Sequence, residues 1–195
     1  MTEKIILEEQ NDIALLYLNH PAGYNSFDLQ MMKAFADFIV SLAVRNDVRG
    51  IIISGKGKAF STGGDLKWGS SYPRGAAVAF HELSSRFHQA IVEIRNMKKP
   101  VIAAINGIAA GGGFSLALAC DFRIMSKSAV LKQGYTSNGL SLDGGGTYNL
   151  PRLVGIARAL EITAFDEPIS SDRALSLGLV NSVVEDVSLF DEAER

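Results

Sequence analysis

The sequence predicts an α/β fold, on the grounds of its alternating segments, its composition and the absence of an internal linker. Short β-branched runs alternate with longer segments in which apolar residues recur every three or four positions. Such strand–helix–strand repetition is typical of layered domains with parallel strand pairing. The 195 residues are 47% hydrophobic and 21% charged, which is ordinary for a globular protein and excludes a disordered or fibrous chain. No linker-like stretch divides the chain, so residues 1–195 are expected to form a single domain.

Each predicted element follows from the local pattern of apolar residues and from residues that favour turns, helix caps or helix ends. Asn11-Asp12 is a turn signal between two β-prone runs, Ser26 and Ser171 are candidate helix N-caps, and Pro100 ends a long helix. In chain order the predicted elements are strands at residues 5–7 and 13–18, a helix over 28–44, a strand at 50–54, a helix over 76–97, a strand at 101–105, a helix from 114, a strand at 122–125, short helices up to 165, a helix over 171–177 and a strand at 180–184.

Charge and cysteine content narrow the classes of function. Nineteen basic and 21 acidic side chains give a net charge of −2, which provides no broad field for nucleic acid or an anionic membrane. Cys120 is the one cysteine, so an intramolecular disulfide and a cysteine-based zinc site are excluded. His20, His81 and His88 show no metal-ligand spacing and are interpreted as structural or surface residues. Without a membrane-length apolar run or a signal pattern, the chain is expected to be cytoplasmic.

Two glycine-containing loops, residues 59–66 and 106–113, directly follow predicted strands. Glycine allows the backbone to approach a ligand closely, and the start of a helix offers unpaired N–H groups. Such groups can hold a phosphate, or a carbonyl oxygen that gains negative charge. The alternative interpretation is that these glycines only permit tight turns. A dinucleotide fingerprint starting at Gly111 fails because Leu116 stands where it needs glycine, and no P-loop motif is present.

Several segments together resemble the crotonase (enoyl-CoA hydratase/isomerase) superfamily in order and spacing. They are KAFSTGGDLK at 58–67, KPVIAAINGIAAGGG at 99–113, ALACDFRI at 117–124, GGGTYNLPRLVG at 144–155, ALE at 159–161 and ALSLGLVN at 174–181. The resemblance covers nearly the whole chain, and it implies a spiral of repeated β-β-α units. It is far more specific for the superfamily than for the reaction, because one fold can carry many chemistries.

The resemblance implies an acyl-CoA thioester as substrate. Its carbonyl oxygen would lie between the backbone N–H groups of Gly64 and Gly112, which would stabilise an enolate-like oxyanion. Coenzyme A is part of the substrate, so no separate cofactor and no metal are expected. The family positions that contact the substrate and its coenzyme A correspond to Tyr24, Asp65, Leu66, Lys67 and Tyr135, besides the two glycines.

The sequence departs from the hydratases of this family at both catalytic carboxylates. Ser115 and Tyr135 stand where those enzymes have glutamates, and neither is a good base near neutral pH. Asp143 stands where related double-bond isomerases have an aspartate, so the resemblance implies an isomerase with Asp143 as acid and base. From local sequence alone, Asp143 could instead cap the short helix that begins near Gly146. The remaining alternatives are hydration, thioester hydrolysis, dehalogenation, decarboxylation and an inactive protein that binds CoA esters.

The family also implies an oligomer. Its members usually continue beyond the equivalent of Val184 with helices that cover the site and build a trimer, whereas residue 195 is the last one here. The resemblance therefore predicts that the trimerisation helices are missing or shortened. A homotrimer or a dimer of trimers is expected on the same ground.

Overall fold

The computed structural model describes residues 3–195. Its strands are β1 Ile5–Gln10, β2 Ile13–Leu18, β3 Gly50–Gly55, β4 Ala59–Ser61, β5 Val101–Ile105, β6 Ile108–Ala110, β7 Phe122–Ser126, β8 Val130–Lys132, β9 Ile169–Ser170 and β10 Ser182–Val184. Its helices are α1 Leu29–Val44, α2 Leu66–Ser70, α3 Ala76–Asn96, α4 Gly112–Ala119, α5 Gly146–Val154, α6 Ile156–Phe165, α7 Ser171–Ser176 and α8 Leu189–Glu194.

The strands form two sheets, and the chain contributes strands to them alternately. The larger sheet has the order β1-β2-β3-β5-β7-β10, and the smaller one the order β4-β6-β8-β9. Each long strand β3, β5 and β7 is followed by a short strand of the other sheet and then by helical chain. Equivalent strands of successive repeats pair in parallel. In the larger sheet β3 pairs with β5 and β5 with β7, and in the smaller sheet β4 pairs with β6 and β6 with β8. This repetition confirms the predicted spiral of β-β-α units.

The central strands of the larger sheet, β2, β3, β5 and β7, are buried on both faces. On one face, alternate strand residues such as Leu16, Ile53 and Ile105 join the main core with α1 and α3. On the other face, Tyr17, Ile52 and their neighbours pack against Leu189 and Ala193 of α8. The near-continuous apolar runs in these strands therefore reflect burial on both sides.

The structure corrects one predicted helix cap and shifts another. The N-cap of α1 is Asp28 and not Ser26, because the Asp28 carboxylate accepts a hydrogen bond of 2.8 Å from the Met31 N–H. The Asp28 carboxylate also pairs with Lys4 at 3.2 Å. Ser170, one residue before the predicted Ser171, caps α7. Serine and aspartate are both good N-cap residues, so the sequence alone does not distinguish Asp28 from Ser26 or Ser170 from Ser171.

The other differences concern short elements. The two glycine loops contain the strands β4 and β6, and α4 begins at Gly112 rather than at residue 114. The elements β8, β9, α2 and α8 were not predicted, and the final strand β10 is shorter than expected. Elements of two to six residues carry too little periodicity to be recognised from sequence. None of the helices within residues 3–195 combines the length and apolarity needed to cross a lipid bilayer.

Burial of Cys120 predicts a loss of stability in alkali. Burial raises the pKa of its thiol from 9.0 to about 12, so the folded chain keeps a proton that the unfolded chain releases. The stabilising effect is complete below pH 9 and is lost as the pH rises towards 12. The free energy of unfolding should fall by at most about 1.4 kcal/mol per pH unit from this group.

Urea unfolding of the wild type and Cys120→Ala, at about pH 8 and about pH 10.5, measures this effect. The variant is expected to be less stable at both values but to lose less free energy between them. Equal losses in the two proteins would contradict the assignment to Cys120.

Candidate active site

A cavity of about 710 Å³ opens between α3, the start of α4 and the chain from Gly134 to Asp143. Its wall is mainly apolar and aromatic, and includes Phe27, Phe80 and Phe87. The rings of Phe27 and Phe87 pack against each other with centroids 5.4 Å apart. Asp143 is the one carboxylate among the described residues that line it. The cavity can thus take up an apolar group and hold it beside a single acidic side chain.

Both predicted N–H donors line this cavity. Gly112 is the first residue of α4, and among the described residues its N–H has no hydrogen-bond acceptor. The N–H of Gly64 likewise has no acceptor within residues 3–195. Its neighbours are fixed, because the Phe27 N–H donates to Gly63 O at 2.7 Å and the Asp65 N–H donates to Phe27 O at 2.9 Å. Two backbone N–H donors that line one cavity and have no hydrogen-bond acceptor can stabilise an oxygen that gains negative charge.

Close backbone packing brings the two loops together and explains their glycines. Gly63 has φ +79°, and a Cβ built there would lie 2.4 Å from the Gly112 nitrogen. A Cβ on Gly113 would lie 2.2 Å from the Ser61 carbonyl oxygen. These separations are far below van der Waals contact, so side chains at these positions would force the loops apart. The glycines therefore do more than permit turns, because they set the distance between the loops.

Asp143 lies at the end of a short chain of side-chain hydrogen bonds. The Tyr135 hydroxyl donates to Asp143 Oδ1 at 2.6 Å, and Ser115 Oγ lies 2.9 Å from the same hydroxyl oxygen. Ser115 and Tyr135 are buried, whereas Asp143 is partly accessible. Asp143 Oδ2 accepts no hydrogen bond from the part of the chain that the structure describes. One carboxylate oxygen is thus held and the other is free.

The helix-cap interpretation of Asp143 is wrong. The N-cap of α5 is Gly145, with φ +75° and no side-chain hydrogen bond. The Gly146 N–H donates at 2.8 Å to the backbone carbonyl of Asp143 and not to its carboxylate. The side chain of Asp143 is therefore available for another role.

Burial and the nearby carboxylate keep Tyr135 neutral. Desolvation raises the pKa of the Tyr135 hydroxyl far above its usual value, and the negative charge of Asp143 raises it further. The hydroxyl thus remains a hydrogen-bond donor over the whole physiological pH range. It cannot serve as a base there.

Two histidines interpreted as structural or surface residues lie at this site. His88 is exposed on α3, and its Nε2 accepts a hydrogen bond of 3.1 Å from the N–H of Gly144, directly after Asp143. That contact requires Nε2 to carry no proton. His81 lines the cavity. In the described part of the chain, no three His, Cys, Asp or Glu side chains gather as a metal site would require.

The substrate-contact residues taken from the family divide into two groups. Leu66 and Tyr135 line the cavity, as Gly64 and Gly112 do. Tyr24, Asp65 and Lys67 are not among its lining residues. The Asp65 carboxylate caps α2 by accepting hydrogen bonds of 2.9 Å from the N–H groups of Lys67 and Trp68. The Tyr24 and Lys67 side chains are exposed.

Sequence reasoning missed the aromatic wall. Phe80 and Phe87 fall within the helix predicted over 76–97, and the sequence indicates no role in a site for them or for Phe27. In the structure, Phe80 lies against Gly64 and Gly69, and Phe27 lies against Gly112. The absence of Cβ atoms from these glycines leaves the space that the rings occupy.

Comparison with known proteins places these features in a family. The family model described as enoyl-CoA hydratase/isomerase matches residues 8–195. A crotonyl-CoA hydratase from Syntrophomonas wolfei is 36% identical over 194 residues, which are 99% of this chain and 74% of that protein. A 1,2-epoxyphenylacetyl-CoA isomerase from Escherichia coli is 33% identical over 196 residues, with 100% of this chain and 75% of that protein covered.

Solved structures agree with this result. An enoyl-CoA hydratase from Bacillus anthracis superimposes with a TM-score of 0.93 at 34% identity, over 98% of this chain and 74% of that chain. A monofunctional enoyl-CoA isomerase from M. smegmatis superimposes with a TM-score of 0.83 at 31% identity, over 99% of this chain and 82% of that chain. Hydratases and isomerases are thus both similar to this chain.

Proposed function

Because this chain belongs to the enoyl-CoA hydratase/isomerase family, we propose that it is an enzyme that moves a double bond in an acyl-CoA thioester. The thioester carbonyl oxygen binds between the N–H groups of Gly64 and Gly112, and Asp143 transfers the proton. The observation that carries the proposal is Asp143 itself, the one carboxylate among the described lining residues, with one oxygen held and the other free.

The proposed reaction needs one base and no water. For a 3-enoyl thioester, Asp143 Oδ2 takes a proton from the α carbon, and the electron pair of that C–H bond becomes part of the enolate. The two glycine N–H groups stabilise the charge on the enolate oxygen. Asp143 then returns the proton to the γ carbon, and the double bond comes to lie between the α and β carbons. No atom is gained or lost, which is an isomerisation.

Hydration is less well supported by the same residues. It requires groups that orient and activate a water molecule. Ser115 and Tyr135, at the positions of the hydratase glutamates, are hydrogen-bonded to each other, and Tyr135 also donates to Asp143. Neither is a base at neutral pH. A hydratase reaction would thus depend on Asp143 alone.

Coenzyme A reaches the site as part of the substrate in this proposal, so no separate cofactor is required. Leu66 is positioned to contact the chain that leads from the thioester, and it is largely exposed. Tyr24 is assigned to the path of the pantetheine chain. Asp65 and Lys67 are assigned to the nucleotide end, where the Lys67 ammonium can pair with a phosphate. Lys67→Ala should therefore weaken the binding of CoA esters in a salt-dependent way while leaving kcat nearly unchanged.

We also propose a homotrimer or a dimer of trimers. Three large apolar side chains on α6, Ile156, Leu160 and Phe165, are 73%, 64% and 71% exposed. Exposed apolar side chains such as these are suited to contact between subunits. Sedimentation equilibrium of the purified chain tests the assembly, and a monomer over the whole concentration range would contradict it.

Deuterium exchange tests the proposed reaction. The protein is incubated in heavy water with crotonyl-CoA, hex-3-enoyl-CoA and hexa-2,4-dienoyl-CoA, and products are followed by mass spectrometry and NMR. Deuterium at the α or γ carbon together with a shifted double bond is the expected result. A product heavier by one water would indicate a hydratase, and free coenzyme A a hydrolase. Binding with neither exchange, a shifted double bond, hydration nor hydrolysis would indicate an inactive binding protein.

A further inference from the structure

We infer that Tyr135 is a positioning residue that holds the Asp143 carboxylate in its reactive orientation, and that Ser115 in turn fixes Tyr135. This inference rests on the proposed role of Asp143 and deepens it. It assigns a new task to the two positions at which the related hydratases carry glutamates.

The direction of the hydrogen bonds follows from the chemistry of the three groups. An ionised carboxylate can only accept, so the Tyr135 hydroxyl donates its one proton to Asp143 Oδ1 over 2.6 Å. The Tyr135 oxygen must then accept from its other neighbour, so the Ser115 hydroxyl is the donor over 2.9 Å. The order is therefore Ser115 to Tyr135 to Asp143, with every donor aimed towards the carboxylate.

The fold holds both ends of this chain firmly. Ser115 lies on α4 one turn after Gly112, so a single helix carries the N–H donor and the first hydroxyl. The backbone N–H of Tyr135 donates at 3.0 Å to Oε1 of Gln133, a fully buried side chain. The backbone directly after Asp143 is held as well, because His88 Nε2 accepts a hydrogen bond from the Gly144 N–H. The orientation of Asp143 is thus fixed relative to the two glycine donors.

The effect of this arrangement should be on kcat rather than on substrate binding. A hydrogen bond to Oδ1 restricts rotation of the carboxylate and directs Oδ2 into the cavity. Loss of the Tyr135 hydroxyl should therefore lower kcat by about 10- to 100-fold, the loss expected for one hydrogen bond to a charged group.

The test compares Tyr135→Phe, Ser115→Ala and Asp143→Asn with the wild type, with hex-3-enoyl-CoA as the probe. Tyr135→Phe is expected to lower kcat at nearly constant KM. Ser115→Ala should lower kcat by a smaller factor, again at nearly constant KM.

Tyr72→Phe is the matched control. The Tyr72 hydroxyl also donates to a carboxylate, Glu82, at 2.7 Å, but neither residue lines the cavity. The control should retain the wild-type kcat and KM. If Asp143→Asn loses activity while Tyr135→Phe keeps the wild-type kcat, the inference is overturned and the proposed function stands. If Asp143→Asn keeps full activity, the proposed function fails and this inference fails with it.

Discussion

Replacement of Asp143 by asparagine is expected to lower the rate of α-proton exchange and of double-bond migration by about 100- to 10 000-fold, the usual contribution of a general acid–base group. The amide has nearly the same shape as the carboxylate, and its oxygen can still accept the Tyr135 hydrogen bond. It cannot take a proton at neutral pH. The chemical step should therefore fail while the affinity for CoA esters changes little, which calorimetric titration with crotonyl-CoA can verify.

Asp37→Asn provides the control for this substitution. Asp37 is exposed on α1 and does not line the cavity, so the loss of its charge should leave the rate unchanged. Both variants should unfold at similar urea concentrations, because Asp143 neither caps a helix nor forms an ion pair among the described residues. Full turnover by Asp143→Asn would show that another group moves the proton.

The features of this site that arise from residues close together in the sequence could be predicted. Glycines directly after a buried strand and before a helix are local features, so the two glycine loops could be selected from the sequence pattern, whereas the choice of Gly64 and Gly112 as donors came from the family resemblance. The strand β5 was predicted with its observed bounds, because Pro100 and Asn106-Gly107 mark both of its ends. Asp143 was identified through the family resemblance, against a local pattern that favoured a helix cap.

The contacts between distant segments could not be predicted in this way. Ser115, Tyr135 and Asp143 meet because α4 and the chain after β8 lie side by side, and no periodicity relates the three positions. The wall residue Phe27 is likewise placed by pairing of its backbone with the loop at Gly63 and Asp65. From the sequence, Ser115 and Tyr135 indicate the loss of two glutamates, and Tyr135 a substrate contact, but the contact between the two residues is a property of the fold.

Gly63→Ala is expected to lower kcat by about 100- to 1000-fold, the usual effect of losing one donor to an oxyanion. A methyl group at this position would lie 2.4 Å from the Gly112 nitrogen and 3.1 Å from the Ala110 carbonyl oxygen, so the two glycine loops must separate. Both of these contacts are with backbone atoms, and a flexible side chain cannot move aside to relieve them. The Gly112 N–H then no longer points to the place that the oxyanion would occupy.

A second glycine separates this steric effect from backbone strain. Gly75 has φ +86°, close to the +79° of Gly63, but a Cβ built on it has no neighbour within 4 Å. Alanine at either position must adopt a positive φ that residues with a Cβ rarely take, and only Gly63→Ala adds the clash. Gly75→Ala should lose stability in urea unfolding and keep its activity with hex-3-enoyl-CoA, whereas Gly63→Ala should lose both. If folded Gly63→Ala retained the wild-type kcat, the close packing of the two loops would not be what aligns the N–H donors, and the assignment of Gly112 to the oxyanion would be wrong.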